Sequence, residues 1–217
     1  MRFRSMLLAA AAISLVCAGV GSAVADRSTI NLMQWFEAPG QQTGEAIPGS
    51  YVMQQRGYYS ITARLHMQQL TPTHRYTLWW VVYNNPGACA GGCGPDDLQS
   101  AAETGANPAG ISFQYGGTAV AGSTGTLSVS TRIIEHAVVG CQSVGPYKGI
   151  CTPLTDASVA QAMVVLHDHG PATGAPLPPA TEMFSAGCKT YSRLGVVVVT
   201  YAGTGFDCFS PQSVFLP

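Results

Sequence analysis

Residues 59–68 alternate strictly between apolar and polar side chains, and this period of two limits the fold more than any other feature. The apolar positions are Tyr59, Ile61, Ala63, Leu65 and Met67. Successive side chains of a β-strand point to opposite faces, so the pattern predicts a strand with one buried and one solvated face.

Further short segments have the same character. Residues 76–83 are apolar on both faces, which predicts a central strand, and its two tryptophans, Trp79 and Trp80, then point to opposite faces. Weaker strand patterns cover 111–115, 127–133, 162–166, 196–201 and 213–216, whereas 181–186 favours one helical turn. Short strands with regular turn signals predict an all-β, single-domain antiparallel β-sandwich or Greek-key barrel.

Composition excludes several classes of protein. The 217 residues are 47% hydrophobic and 10% charged, which is opposite to the composition of a disordered chain or a charged helical bundle. The formal net charge is -1, whereas a nucleic-acid-binding protein presents a basic face. We therefore expect no nucleic-acid partner.

The first 25 residues have the pattern of a cleavable signal peptide. Arg2 and Arg4 precede an apolar stretch, and Ala23-Val24-Ala25 matches a signal-peptidase site. We expect residues 26–217 to form the mature domain, located in the periplasm or outside the cell and without membrane attachment. An uncleaved membrane anchor is the alternative interpretation of the same stretch.

Six cysteines remain after the expected cleavage, and an even number in an exported chain is typical of disulfides. Spacing alone leaves the connectivity open. The simplest hypothesis pairs near neighbours, as Cys89–Cys93, Cys141–Cys151 and Cys188–Cys208.

The sequence His167-Asp168-His169 carries the strongest chemical signal. At strand spacing, the two imidazoles lie on one face and the carboxylate lies on the other. Imidazoles at positions i and i+2 are able to ligate one copper or zinc ion. The alternative is a strand end at which His169 bonds loop backbone and His167 is solvated.

Other polar and aromatic positions favour ordinary structural roles. His66 shares a polar strand face, His74 belongs to a turn, and His136 has no predicted element. One of the two tryptophans belongs in the core, and the other lines a groove or lies under a loop. Asp96-Asp97 lacks the ligand series of a calcium loop, so it favours a helix cap or a turn.

Catalytic motifs are missing from the sequence. The nucleophile-elbow pattern G-x-S-x-G does not occur, and Ser123 in Ala-Gly-Ser-Thr-Gly has the wrong offset. No glycine-rich phosphate loop is found. Acid–base catalysis by two carboxylates stays open, without a spacing that points to it.

Scattered blocks over most of residues 26–217 resemble a group of exported bacterial β-sandwich proteins, and in outline the chordin-type (CHRD) domain. The blocks are Leu70–Pro86, Cys89 to Asp97, His169-Gly170-Pro171 before Gly187-Cys188, and Cys208 to Phe215. The resemblance implies an immunoglobulin-like or superoxide-dismutase-like sandwich. Chordin-type domains have a His-x-His motif in the strand that here reads Trp79-Trp80, so the resemblance transfers no functional residue.

Three functions follow as hypotheses. The first is a non-catalytic module that binds a protein or small-molecule partner through loops at one end of the sandwich. The second is a copper- or zinc-binding protein that uses His167 and His169. The third is a small secreted hydrolase.

Overall fold

The structure is a computed structural model that describes residues 27–38, 41–89, 92–141, 147, 149–172, 188–190, 199–200, 206–208 and 210–214. Within these ranges lie eleven strands, one α-helix, α1 (Pro95–Thr104), and a 3₁₀ turn at Pro86–Ala88. The strands are β1 (Arg27–Ala38), β2 (Gln41–Arg56), β3 (Ser60–Met67), β4 (His74–Tyr83), β5 (Ile111–Val120), β6 (Leu127–Ile134), β7 (Gln161–Pro171), β8 (Cys188–Thr190), β9 (Val199–Thr200), β10 (Phe206–Cys208) and β11 (Ser210–Val214).

Eight strands form one antiparallel sheet in the order β5-β4-β7-β11-β1-β2-β3-β6, and β10-β8-β9 form a small second sheet beside β7. The large sheet folds over itself. Trp80 on β4 donates a hydrogen bond from Nε1 to Thr131 Oγ1 on β6 at 3.0 Å, although five strands lie between β4 and β6 in the sheet order. The predicted antiparallel β-sandwich is confirmed.

The apolar positions of the strand patterns are the buried positions of the strands. Ile61, Ala63, Leu65 and Met67 on β3 are buried between the layers, as the alternation predicts. Tyr59 is the exception, because it precedes the strand and is 60% exposed. β4 is buried on both faces, and the side chains of both tryptophans are fully buried.

Strands β1, β2, β8 and β10 and helix α1 were not recognised from the sequence pattern. β1 and β2 are the longest strands, and their pairing contains register shifts between Leu32 and Ala38. Helix α1 begins after Gly94, and the backbone N–H of Gly94 donates a hydrogen bond to Asp97 Oδ2 at 3.1 Å. The helix ends before Gly105, which has the left-handed backbone conformation. Asp97 is therefore part of a helix cap, one of the two roles expected for it. The predicted helical turn at 181–186 lies outside the described residues.

The register of β4 against β7 defines the two ends of the sandwich. Tyr76 pairs with Asp168 and Thr77 with His167 at one end, which we call the histidine end. The connections 68–73 and 121–126 also lie there. The other end, the loop end, holds the hairpin turn 57–59 and the described parts of 84–110 and 135–160. No helix in the described ranges is long and apolar enough to cross a membrane.

Candidate functional site

The histidine pair lies on the outward face of β7. The ring centroids of His167 and His169 are 4.9 Å apart with an interplanar angle of 73°. His167 is buried rather than solvated, and this desolvation, with a smaller contribution from His169, lowers the pKa of His167 to about 3. The His167 imidazole is therefore uncharged at neutral pH, which is the form that binds metals.

Thr77 on the adjacent strand positions the second imidazole. Its Oγ1 lies 2.7 Å from His169 Nε2 and accepts a hydrogen bond from Trp79 Nε1 at 3.0 Å. An indole N–H only donates, so the threonine oxygen uses one lone pair on Trp79 and has a second lone pair for His169. His169 therefore contacts a side chain of β4.

Asp168 points to the opposite face, as the strand spacing predicts. Its buried carboxylate lies 2.9 Å from His74 Nδ1 and hydrogen-bonds the hydroxyl of Tyr76. Burial and this carboxylate raise the pKa of the Tyr76 hydroxyl. His74 is thus half-buried in a polar cluster between the layers, where the sequence indicated a surface turn.

The remaining histidines do not join the pair. His66 lies on the outward face of β3, where its Nδ1 is 3.0 Å from Ser128 Oγ. His136 is exposed, beyond β6 at the loop end. Over the described parts of the chain, no group of three or more His, Cys, Asp and Glu side chains could hold a metal ion.

Trp79 lies on the outward face of β4 and is covered. Its ring stacks on Phe113 at 4.8 Å between centroids, and Phe113 in turn contacts Tyr147 at 4.9 Å. Tyr147 belongs to the loop between Cys141 and Cys151. Of the two roles expected for the outward tryptophan, the structure has the one under a loop.

Two disulfides stabilise the loop end. Cys89–Cys93 and Cys141–Cys151 are bonded, which confirms two of the three expected pairs. Cys188 and Cys208 stand on the adjacent strands β8 and β10, and their side chains lie outside the described residues. Disulfides persist in oxidising compartments, so the two observed bonds fit an exported protein.

Asn84, directly after β4, ties three loops of this end together. Its Nδ2 donates to the carbonyl oxygens of Gly110 and Pro153, both at 2.9 Å. Its Oδ1 accepts from the backbone N–H of Thr155 at 2.9 Å and from the Thr155 hydroxyl at 3.2 Å. One side chain thereby satisfies polar groups from segments far apart in the sequence.

Arg56 and Glu135 hold the outer rim of the loop end. Arg56 Nη1 donates to the carbonyl oxygens of Ala157 and Ala160, at 2.7 and 2.6 Å. Glu135 Oε1 accepts from the backbone N–H of Ala157 at 2.6 Å, and Glu135 N donates to the Tyr59 carbonyl. The hairpin turn 57–59, the end of β6 and the turn 156–160 are thus fixed relative to one another.

These segments display large apolar side chains to solvent. Tyr58 and Tyr59 are 66% and 60% exposed, and their rings meet edge to face at 4.2 Å between centroids. Ile134 and Val159 are exposed on the neighbouring segments. We call these four residues the tyrosine patch. The alternation of residues 59–68 predicts Tyr59 on a buried strand face, whereas Tyr59 lies in the turn Gly57-Tyr58-Tyr59 between β2 and β3. Gly57 was the available sequence signal for this turn.

Comparison of the chain with family models, with curated proteins and with solved structures finds no match in any of the three.

Proposed function

We propose that this protein is an exported interaction module that binds a protein partner through the tyrosine patch at the loop end. The observation that carries the proposal is the exposure of two adjacent tyrosines on segments held by Arg56 and Glu135. Tyrosine is enriched in protein interfaces, because its large ring loses few rotamers on binding and its hydroxyl still forms hydrogen bonds.

The bracing of the loop end supports the same function. Binding costs free energy for every loop that must be ordered, and a surface ordered in advance avoids most of that cost. Two disulfides and the hydrogen bonds of Asn84 fix the loops of this end. Export through the signal peptide at 1–25, a segment outside the described residues, would place the domain where these disulfides persist.

A photo-crosslinking experiment in the native host identifies the partner. Benzoylphenylalanine replaces Val159 in the patch or, as control, Tyr51, which is exposed on the sheet face of β2. We expect a discrete crosslinked protein from position 159 and none from position 51. The same product from both positions contradicts the proposal. A crosslink to a second copy of this chain would mean that the patch mediates self-association and does not bind a different protein.

Affinity then measures the contribution of the patch. With the purified partner, Tyr58→Ser together with Tyr59→Ser should weaken binding about thirtyfold or more, as expected for interface hot spots. Tyr51→Ser is the matched control and should change the Kd less than about twofold. An unchanged Kd for the double variant overturns the proposal.

A further inference from the structure

We propose that the outward face of β1, β2, β3 and β6 docks on a membrane surface that contains anionic phospholipids. Backbone pairing aligns three rows of residues across these four strands, and paired residues share one face of a sheet. The rows are Leu32, Tyr51, His66 and Ser128; Ile30, Met53, Arg64 and Ser130; and Ser28, Gln55, Thr62 and Arg132. We call these residues the ladder face. The tyrosine patch contains none of them, so neither proposal depends on the other.

The β1 side of the ladder face is apolar and open to solvent. Ile30 and Leu32 are 69% and 61% exposed, and Tyr51 on β2 is 42% exposed. Met53 pairs with Ile30 and is half-buried, so it extends the same apolar area onto β2. Large apolar side chains that stand together on an exposed surface mark a site of interaction with a protein or a membrane.

The opposite side of the ladder face, on β3 and β6, is cationic. Arg64 and Arg132 are both exposed, and they are diagonal neighbours because Arg64 pairs with Ser130 and Thr62 pairs with Arg132. The paired stretches 27–32, 51–56, 60–67 and 127–134 contain no Asp or Glu, although the whole chain has 11 acidic and 10 basic residues. A protein of negative net charge thus has a positive face, which attracts an anionic surface.

The order of side chains across the face favours lipid over an anionic polysaccharide. Such a polysaccharide would neutralise the arginines and leave Ile30 and Leu32 in water. Along the row through Tyr51, polarity instead increases from Leu32 on β1 to His66 on β3. A bilayer surface has the same order, because tyrosine lies at the boundary between acyl chains and headgroups and basic side chains meet the phosphates.

The contact is therefore tilted and peripheral. Ile30 and Leu32 enter the boundary of the acyl chains, while Arg64 and Arg132 meet the headgroup phosphates. No spanning segment is involved, so the contact is reversible. It revises the sequence-based expectation of a mature domain without membrane attachment.

Co-sedimentation of residues 26–217 with lipid vesicles tests the proposal. The apolar segment before residue 26 is omitted, because it would insert into vesicles by itself, and every described strand is kept. We expect binding to vesicles of phosphatidylglycerol and phosphatidylethanolamine, and binding at least about tenfold weaker to vesicles of phosphatidylcholine. No binding to the anionic vesicles, or equal binding to both kinds, overturns the proposal.

A pair of double variants tests the apolar side. Ile30→Ser with Leu32→Ser should weaken binding to the anionic vesicles at least about tenfold, because two aliphatic side chains no longer leave water. Val138→Ser with Val139→Ser is the matched control, since these valines are exposed on the segment beside β5. It should keep the wild-type affinity. Equal effects of the two double variants mean that another surface binds the vesicles, and they overturn the proposal.

A second pair of variants tests the cationic side. Arg64→Gln with Arg132→Gln should weaken binding to the anionic vesicles about tenfold, because two charges are lost at the headgroups. Arg64→Lys with Arg132→Lys keeps both charges and should retain most of the affinity. Equal affinities of the Gln and Lys variants contradict the contact with phosphates.

Two controls separate this face from other forms of binding. Tyr58→Ser with Tyr59→Ser should bind vesicles as the wild type does, so the tyrosine patch and the ladder face are able to fail independently. Sedimentation velocity without lipid examines self-association. A dimer that Ile30→Ser with Leu32→Ser abolishes would assign the ladder face to a second copy of this chain and overturn the proposal.

Discussion

His74 Nδ1 lies 2.9 Å from Asp168 Oδ2, although the two residues are 94 positions apart in the chain. The pair joins the first residue of β4 to the end of β7. Only 1% of the Asp168 side chain is exposed, and hydrogen bonds with His74 and Tyr76 replace some of those that water would otherwise supply.

Removal of His74 should therefore destabilise the fold. We expect His74→Ala to lower the free energy of unfolding by about 2 kcal/mol, because a buried carboxylate loses a partner while Tyr76 remains. Urea denaturation measures the change. His66→Ala, on the outward sheet face, is the matched control and should cost less than about 1 kcal/mol. Equal losses for the two variants would mean that the Asp168 contact contributes nothing specific.

The stability of the protein should decrease in acid because of His167. Burial lowers the pKa of His167 from 6.5 to about 3, so below pH 6.5 the unfolded chain takes up a proton that the folded chain does not. The unfolded state then binds more protons, and this contribution to stability is full above pH 6.5 and is lost as the pH falls toward 3. The expected slope is about 1.4 kcal/mol per pH unit.

Unfolding in urea at several pH values between 4 and 8 tests this slope. His167→Gln should flatten it over the window from 6.5 downward, because no imidazole remains to be protonated on unfolding. His136→Asn alters an exposed histidine and should keep the wild-type slope. A His167→Gln profile parallel to the wild type would show that another group is responsible.

Two glycines with the same φ of +71° should respond differently to alanine. A Cβ at Gly125 would collide with the backbone carbonyl oxygen of Leu70, where the connections 68–73 and 121–126 pack together. A Cβ at Gly105, after helix α1, would meet no atom within 4 Å. Gly105→Ala should cost about 1 kcal/mol from the backbone conformation alone, and Gly125→Ala at least about 3 kcal/mol. Thermal unfolding ranks the two variants, and comparable Tm values would contradict the packing at Leu70.

Asn84 and Asn85 form another matched pair. Asn84→Ala removes a donor to the carbonyl oxygens of Gly110 and Pro153 and the acceptor of the Thr155 N–H, groups that lie on two other loops, and should cost about 2–3 kcal/mol. Asn85 is exposed, and its side-chain amide donates one long bond, 3.4 Å, to the carbonyl of Pro108, so Asn85→Ala should cost less than about 1 kcal/mol. Hydrogen exchange of the Thr155 amide provides a local readout, and protection unchanged by Asn84→Ala would disprove the bracing role.

The loop between Cys141 and Cys151 should contribute more stability than the shorter loop between Cys89 and Cys93. Cys141 and Cys151 are 10 positions apart in the sequence, whereas Cys89 and Cys93 are 4 positions apart. Chain entropy in the unfolded state therefore favours the longer loop by about 0.7 kcal/mol. Replacing each pair by alanine and measuring unfolding in guanidinium compares them directly. A greater loss from the Cys89–Cys93 pair would reverse this order.

Local pattern predicted much of the fold. The alternation around Ile61 and the apolar run through Trp79 and Trp80 identify β3 and β4, because burial of a strand follows from neighbouring residues. Pro48 and Gly49 lie at the middle of β2 and interrupt its strand pattern, so this strand was not recognised. The cap residues around α1 gave the only local signal for this short helix, whose interior is not strongly periodic.

The candidate sites depended on distant residues and were predicted only in part. His167 and His169 are neighbours in sequence, so their common face followed from strand geometry. The partner of Asp168 came from residue 74 and that of His169 from residue 77, and only the register of β4 against β7 brings them together. The tyrosine patch was not predicted, because the exposure of Tyr59 depends on where β3 begins, and the alternating pattern does not mark that residue.

The segment around the Cys141–Cys151 bond also covers an open strand edge. The backbone N–H groups of Phe113 and Tyr115 on β5 donate to the carbonyl oxygens of Ile150 and Gly140. Bare strand edges pair readily with other chains. In a reducing compartment the bond that holds this cover in place would be lost, and the chain would be prone to aggregate through β5.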